Sequence, residues 1–280
     1  MGRFENRYPL TDHTYRLIAD LIYSASGLRF DQSAKFMIHR RLAPRLDELE
    51  LDSFEKYYFH LRYHPNRDAE MDIIFDSIAT HETYFFREQA QLNAFTNEII
   101  PQLVENRNQS QTLRIWCAGC ASGEEPYTVA ILCRQHPLLQ DWNLDIFASD
   151  ISQKMIHAAR RGIFGKGAFR STTNDVRAAH FERIEENLYR IHDEIKQMVT
   201  FMKLNLLNED RIGILGEMDA IFCRNVIIYF DVEAKKKIIS MFYRKIRSGG
   251  YLLLGHAESL AALSTQFHLR HLKSDMVYQK

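Results

Sequence analysis

The chain has 280 residues with 36 Lys plus Arg against 36 Asp plus Glu, so it lacks the cationic excess of a dedicated nucleic-acid binder and leaves room only for a local basic patch. Hydrophobic residues at 46% and charged residues at 26%, with 12 Gly and 6 Pro, suit one large or two modest globular domains and exclude a long disordered tract. No apolar run approaches the ~20 residues that span a bilayer, and the polar start lacks a signal peptide's apolar segment, so the cytosol is the expected location.

The first hundred or so residues carry helical periodicity. Thr11 is placed to cap a helix through Tyr15, Ile18, Leu21 and Ile22 that stops near Gly27. A second helical pattern runs from Ser33 through Leu42, where Pro44 is expected to bend or end it. A third begins at Asp52, with Glu55 completing a capping box, a fourth covers Ala69 to Ile78, and a fifth runs from Gln89 to Val104. The polar stretch from Asn106 to Gln111 reads as a linker, which predicts a helical domain over 1–105 and a second domain over 106–280.

Beyond the linker, short apolar runs alternate with helical stretches: Leu113 to Cys117, Leu144 to Ala148, Val199 to Leu204, Asp219 to Cys223 and Tyr251 to Leu254. This is the pattern of an α/β domain with a mainly parallel sheet. Residues of about 162–198 fit it poorly and read as an inserted subdomain with β structure, and Phe267 to Tyr278 predicts a closing antiparallel hairpin. Cys117, Cys120, Cys133 and Cys223 read as reduced thiols, and the Cys117–Cys120 pair lacks the second ligand pair of a structural zinc site, so no metal is expected. Histidines such as His60, His136, His180 and His256 read as surface or satisfied core residues.

The most informative segment, Leu113 to Tyr127, reads as strand, small-residue turn and helix. It lacks the third glycine of a dinucleotide fingerprint, and Glu124 and Glu125 would repel a pyrophosphate at the helix N-terminus, which disfavours nucleotide cofactors. A cofactor with a ribose, a cationic centre and no phosphate suits this turn, and S-adenosylmethionine has these properties. Asp150 ends the second strand, where a carboxylate either accepts ribose hydroxyls or caps the helix from Ile151 onward. Arg224, Asn225 and Tyr229 fall just past the carboxyl end of the fourth strand, where open α/β sheets bind ligands.

Together, Thr80 to Arg87, Ala121 to Tyr127, Ala148 to Asp150, Asn205 to Leu207 and Phe222 to Phe230 make the chain resemble the CheR family of chemotaxis receptor methyltransferases. The resemblance covers nearly the whole length. It implies a small all-helical domain followed by a class I, Rossmann-like methyltransferase domain with an inserted β-containing subdomain. The implied reaction moves methyl from S-adenosylmethionine to receptor glutamates, giving glutamate methyl esters and S-adenosylhomocysteine.

The implied cofactor residues are Thr83, Arg87, Glu125, Asp150, Asn205, Leu206, Arg224 and Asn225, with His81 at a position where the family commonly has Asn. Arg87 and Tyr229 are the candidates for holding the acceptor carboxylate, and no general base is needed. The expected partner is the cytoplasmic helical domain of chemotaxis receptors, met by a monomer with no membrane insertion; in some members the inserted subdomain also docks a receptor tail peptide. The basic segment with Lys35, Arg40, Arg41 and Arg45 is either a docking face for acidic receptor helices or a solvated face paired with Asp47, Glu48, Glu50 and Asp52. Glu258, after the fifth strand, either touches the acceptor site or caps a helix, and the structural role is preferred. Competing readings are a fold that senses S-adenosylmethionine or binds receptors without catalysis, and a methyltransferase for another acceptor. Arg224-Asn225-Val226-Ile227 stands where base methyltransferases typically carry an Asn/Asp-Pro-Pro-aromatic turn, which argues against nucleic acid.

Overall fold

Caps and apolar faces set the first four helices. The computed structural model describes residues 7–79, 82–106 and 111–280. Helix α1 (Asp12–Ser26) starts where the Thr11 side chain accepts the Thr14 N–H and stops at Gly27, whose φ of 74° is left-handed, as predicted. Helix α2 (Lys35–Glu48) continues through Pro44, which does not end it. Proline there leaves the Arg40 carbonyl without its usual donor. Pro44 and Arg40 are exposed, however, so that carbonyl lies on the solvent side while buried Leu42, Ala43 and Leu46 hold the helix in place.

Helix α3 (Phe54–Tyr63) is capped by Ser53, which accepts from the Lys56 N–H, one residue beyond the predicted Asp52–Glu55 box. Asp52 pairs with the Lys56 ammonium instead, at 2.6 Å. His60 and His64, one helical turn apart, stack with ring centroids 4.2 Å apart. Helix α4 (Arg67–Ile78) carries Glu70, which is buried and takes a two-pronged fork from Arg45 (2.9 and 2.7 Å) and the Tyr57 hydroxyl (2.8 Å). A later stretch completes this unit: the Arg29 N–H donates to the Tyr229 carbonyl at 3.1 Å, and the Tyr23 hydroxyl to Asp231 at 2.7 Å.

The chain divides into two compact units, Met1–Thr80 with Tyr229–Ala234, and His81–Ile228 with Lys235–Lys280. This division falls earlier than the polar stretch at 106–111, part of which (107–110) lies outside the described residues. The reason is packing. Helix α5 (Gln89–Ala94), a π-helical turn (Phe95–Ile99) and α6 (Ile100–Asn106) bury Leu92, Phe95, Ile99 and Leu103 in the same core as Leu113, Ile115 and Phe222. The wide turn precedes Pro101, which has no N–H for the regular ladder and would crowd the carbonyl of Asn97.

The second unit follows the predicted alternation: β1 (Thr112–Ala118), α7 (Glu124–Gln135), β2 (Asn143–Asp150) and α8 (Gln153–Arg161). The insertion then supplies β3 (Ile163–Gly165), α9 (Asn174–His180), β4 (Phe181–Glu185), β5 (Leu188–Ile191) and α10 (Asp193–Lys196), with an antiparallel sheet in the order β3-β5-β4. The remainder is β6 (Val199–Lys203), α11 (Glu209–Gly213), β7 (Met218–Cys223), α12 (Val232–Lys245), β8 (Ile246–Leu254), β9 (His268–His271) and β10 (Met276–Gln279).

The main sheet has the order β6-β2-β1-β7-β8-β10-β9, parallel from β6 to β8, with the predicted antiparallel hairpin at the far edge. Strand order reverses between β1 and β7, and in open α/β sheets the crevice at such a switch point is where ligands bind. No helix among the described residues is long and apolar enough to cross a membrane.

Candidate active site

The turn after β1 lies at this switch point, and its backbone is tied to the end of β2. The Gly119 and Cys120 N–H groups both donate to the Ser149 carbonyl (2.7 and 2.9 Å), and the Ala121 N–H donates to Asp150 Oδ2 at 2.9 Å. Gly119, at φ 81°, has to be glycine: a Cβ there would lie 2.4 Å from the Val226 side chain. Asp150 is buried, and its Oδ1 accepts the Ser152 N–H at 2.9 Å. The cap of α8 is Ser152, which accepts from Met155 at 3.1 Å, so Asp150 is not the helix cap. The neighbouring Cys117 and Cys120 are buried, which pushes both thiols up and keeps them protonated.

A second group of residues is organised by Arg224, whose side chain is 2% exposed. Its guanidinium donates to Glu125 (3.1 Å), to Glu88 (3.0 Å) and to the Arg87 carbonyl (2.7 Å), while its Nε is buried without a partner among the described residues. Burial pushes the Glu125 carboxyl up, with Arg224 pulling against it. Burial opposes the charge on Arg224, but Glu125 and Glu88 outweigh it and leave the guanidinium pKa raised. The two predicted residues Arg224 and Glu125 are therefore brought together with each other.

The segment carrying Thr83 and Arg87 is pinned at further points. The Phe85 N–H donates to the Ala168 carbonyl at 2.9 Å and the Phe86 N–H to Thr128 at 3.2 Å. The Phe85 ring packs against Phe164, Phe169 and Phe181 of the insertion, with centroids 4.8, 5.2 and 4.8 Å away. Arg87 is partly exposed, donates to the Glu82 carbonyl at 3.0 Å and lies 5.6 Å from the Tyr84 ring centre. Thr83 is half-buried beside it in sequence. His81 lies outside the described residues.

Past β7, Asn225 has a φ of 58° and a side-chain oxygen buried without a partner among the described residues. Phe86, Glu88 and Ala121 share this left-handed conformation, at 58°, 56° and 45°. Such backbone costs about 1 to 3 kcal/mol per residue and clusters at ligand sites. Past β6, the Asn205 side chain accepts the Leu207 N–H at 2.9 Å, Leu206 is buried, and the Leu204 N–H donates to the Asp150 carbonyl at 2.9 Å. These contacts bring the ends of β1, β2, β6 and β7 together. Sequence reasoning missed Glu88, which directly follows the predicted Arg87, and preferred a structural role for Glu258 over contact with the acceptor site.

Tyr229 belongs to the first unit and is 38% exposed. In that unit the basic segment is mostly engaged within the helical bundle. Arg45 serves Glu70 and Glu48, Arg41 donates to the carbonyls of Ser77, Ile78 and Ala79 (3.1, 2.7 and 3.2 Å), and Lys35 bonds Asp12. Arg40 is exposed and makes no such contact among the described residues.

Two family models match the sequence: "CheR methyltransferase, SAM binding domain" over residues 81–276 and "CheR methyltransferase, all-alpha domain" over 13–79. The chain is 33% identical over 276 residues to chemotaxis protein methyltransferase 2 of Vibrio cholerae serotype O1, covering 98% of this chain and 95% of that one. It is 33% identical over 268 residues to the chemotaxis protein methyltransferase of Salmonella typhimurium, covering 94% and 90% of the two chains. Against the chemotaxis protein methyltransferase of Borreliella burgdorferi the figures are 31% over 269 residues, and 93% and 94%.

Proposed function

The chain belongs to the CheR methyltransferase family, whose S-adenosylmethionine-binding domain it carries, and on that premise we propose that it methylates glutamate side chains of chemotaxis receptors. The observation that carries the site assignment is the set of contacts joining the β1 turn to the ends of β2 and β7 at the switch point: Ala121 to Asp150, and Gly119 beneath Val226.

The residues present fit the cofactor. Asp150 presents a buried carboxylate suited to hydroxyl donors, and the unpartnered Asn225 oxygen suits an amino donor. The Gly119 turn lets backbone approach a ligand closely. Asp150, Asn225, Asn205 and Leu206 would hold the cofactor. Arg224 and Glu125 would act as the strut that keeps the Thr83–Glu88 segment beside it, with Thr83 lining the site. When bound, the cofactor supplies a methyl group on a cationic sulfur.

A glutamate acceptor, with an ordinary pKa near ~4.3, is ionised at neutral pH and needs no base from the protein. The work left to the chain is to orient a carboxylate and exclude water, since opposite charges meet and neutralise. Both Arg87 and Tyr229 are assigned to the acceptor, Arg87 to fork onto its carboxylate and Tyr229 to hydrogen-bond it.

Membranes carrying the receptors, incubated with the protein and methyl-labelled S-adenosylmethionine, are expected to yield labelled receptor that releases volatile methanol in base. Base-stable label would overturn the glutamate assignment. An unlabelled receptor despite measurable cofactor binding would favour a sensor without catalysis.

For receptor docking the basic segment reduces to Arg40. Arg40→Ala is expected to raise the KM for receptor several-fold with no change in thermal midpoint, because a rim charge acts on encounter and not on the fold. Arg41→Ala is expected instead to destabilise the protein by ~1 to 2 kcal/mol, since three carbonyls at the end of α4 lose their donor. Thermal unfolding alongside receptor titration separates the two, and a lowered midpoint in the Arg40 variant would remove it from the docking face.

A further inference from the structure

Glu258 lies past β8, and no helix follows for it to cap: residues 256–266 form turns and irregular chain. Its Oε2 accepts the N–H groups of Gly255 (2.8 Å) and Asn225 (2.8 Å), and its Oε1 those of Val226 (2.9 Å) and Ile228 (3.3 Å). Three of these donors belong to the turn after β7. One half-buried carboxylate thus takes up the main-chain N–H groups that this turn would otherwise leave unpaired.

That turn has two demanding neighbours. Asn225 is held in the left-handed region with its side-chain oxygen buried and unpartnered among the described residues, and Val226 stands where a Cβ on Gly119 would clash. The approach of Glu258 is equally close. A Cβ on Gly255 would lie 2.9 Å from both the main-chain and side-chain nitrogens of Asn225 and 3.0 Å from Glu258 Oε2, so the carboxylate reaches the turn only across a glycine.

We propose that Glu258 is a positioning residue for the reaction: it fixes the Asn225–Ile228 backbone so that the Asn225 side-chain oxygen is already turned toward a donor on the bound cofactor. This rests on the reading that Asn225 faces the cofactor. Preorganisation of this kind improves binding by removing the cost of ordering the turn when the ligand arrives. A purely structural carboxylate would instead affect stability and leave affinity untouched.

The test is a double-mutant cycle on the affinity for S-adenosylhomocysteine, which binds without reacting, measured by calorimetry at a temperature where all variants are folded by circular dichroism. Asn225→Ala and Glu258→Gln are each expected to weaken binding about tenfold, and the double variant to be no more than about twofold weaker than the worse single one. Wild-type affinity in Glu258→Gln beside weakened Asn225→Ala overturns the positioning role alone. Additive losses, about a hundredfold in the double variant, overturn the coupling through Asn225. Unchanged affinity in Asn225→Ala overturns both this inference and the cofactor assignment of Asn225. If Glu258→Gln does not fold, Glu258→Asp keeps the charge but is one methylene too short to meet all four donors; it too is expected to bind more weakly, and wild-type affinity in it overturns the proposal.

Discussion

Asp150→Ala is expected to weaken S-adenosylhomocysteine binding by at least ~100-fold, because hydrogen bonds to a buried carboxylate contribute ~1.5 to 3 kcal/mol each and a ribose offers two donors. The side chain has a second function that alanine also removes. Asp150 ties the Ala121 N–H to the end of β2 and takes the Ser152 N–H, so its loss releases the turn whose shape admits the ligand. Asp150→Asn removes less: it keeps one of the two oxygens that accept backbone N–H groups and loses the charge, so it should bind more tightly than the alanine variant and more weakly than wild type. Tyr229→Phe, assigned to the acceptor, should keep cofactor affinity and slow turnover. Calorimetry on the three variants checks the assignment, and an alanine variant within about threefold of wild type would remove Asp150 from the cofactor site.

Local chemistry was readable from the sequence wherever both partners lie close in the chain. Thr11 and Gly27 bound α1 as predicted because caps act over three or four residues, and the β1 turn announces itself by its small residues. Pro44 misled because the rule against proline in helices assumes a carbonyl that has to be paired within the helix, and the one at Arg40 lies on the solvent side. The basic segment misled in another way. Arg41 and Arg45 were weighed against acids nearby in sequence, and Arg45 does meet Glu48, yet Arg41 serves carbonyls 36 to 38 positions away and Arg45 also holds Glu70 at 25. Distance in sequence hid the pairing of Glu258 with Asn225, 33 positions away, and that of Glu88 with Arg224, 136 positions away. No periodicity or spacing encodes those pairings; they exist only once the sheet brings β7 and β8 side by side and the Phe85 segment packs against the insertion.

The Arg224 cluster makes the second large prediction, with a pH dependence of definite sign. Arg224→Met keeps the bulk of the side chain but leaves Glu125 and Glu88 facing each other with no guanidinium between them. Removing one partner of a buried ion pair costs ~3 to 5 kcal/mol, because the remaining charge is uncompensated. Arg224 is also the group that pulls the Glu125 carboxyl down against burial, so its removal raises that pKa further above the unfolded value. The folded variant then binds more protons than the unfolded chain across this range, and its stability must rise as pH falls. Urea unfolding should show the deficit against wild type largest at about pH 8 and shrinking toward about pH 5. Glu125→Gln added to Arg224→Met should recover part of the loss at the higher pH. Cofactor affinity should fall in both variants, since the Arg87 carbonyl has lost its donor and the Thr83–Glu88 segment one of its anchors. A deficit below ~1 kcal/mol that does not vary with pH would mean that water, and not the protein, already carries these charges.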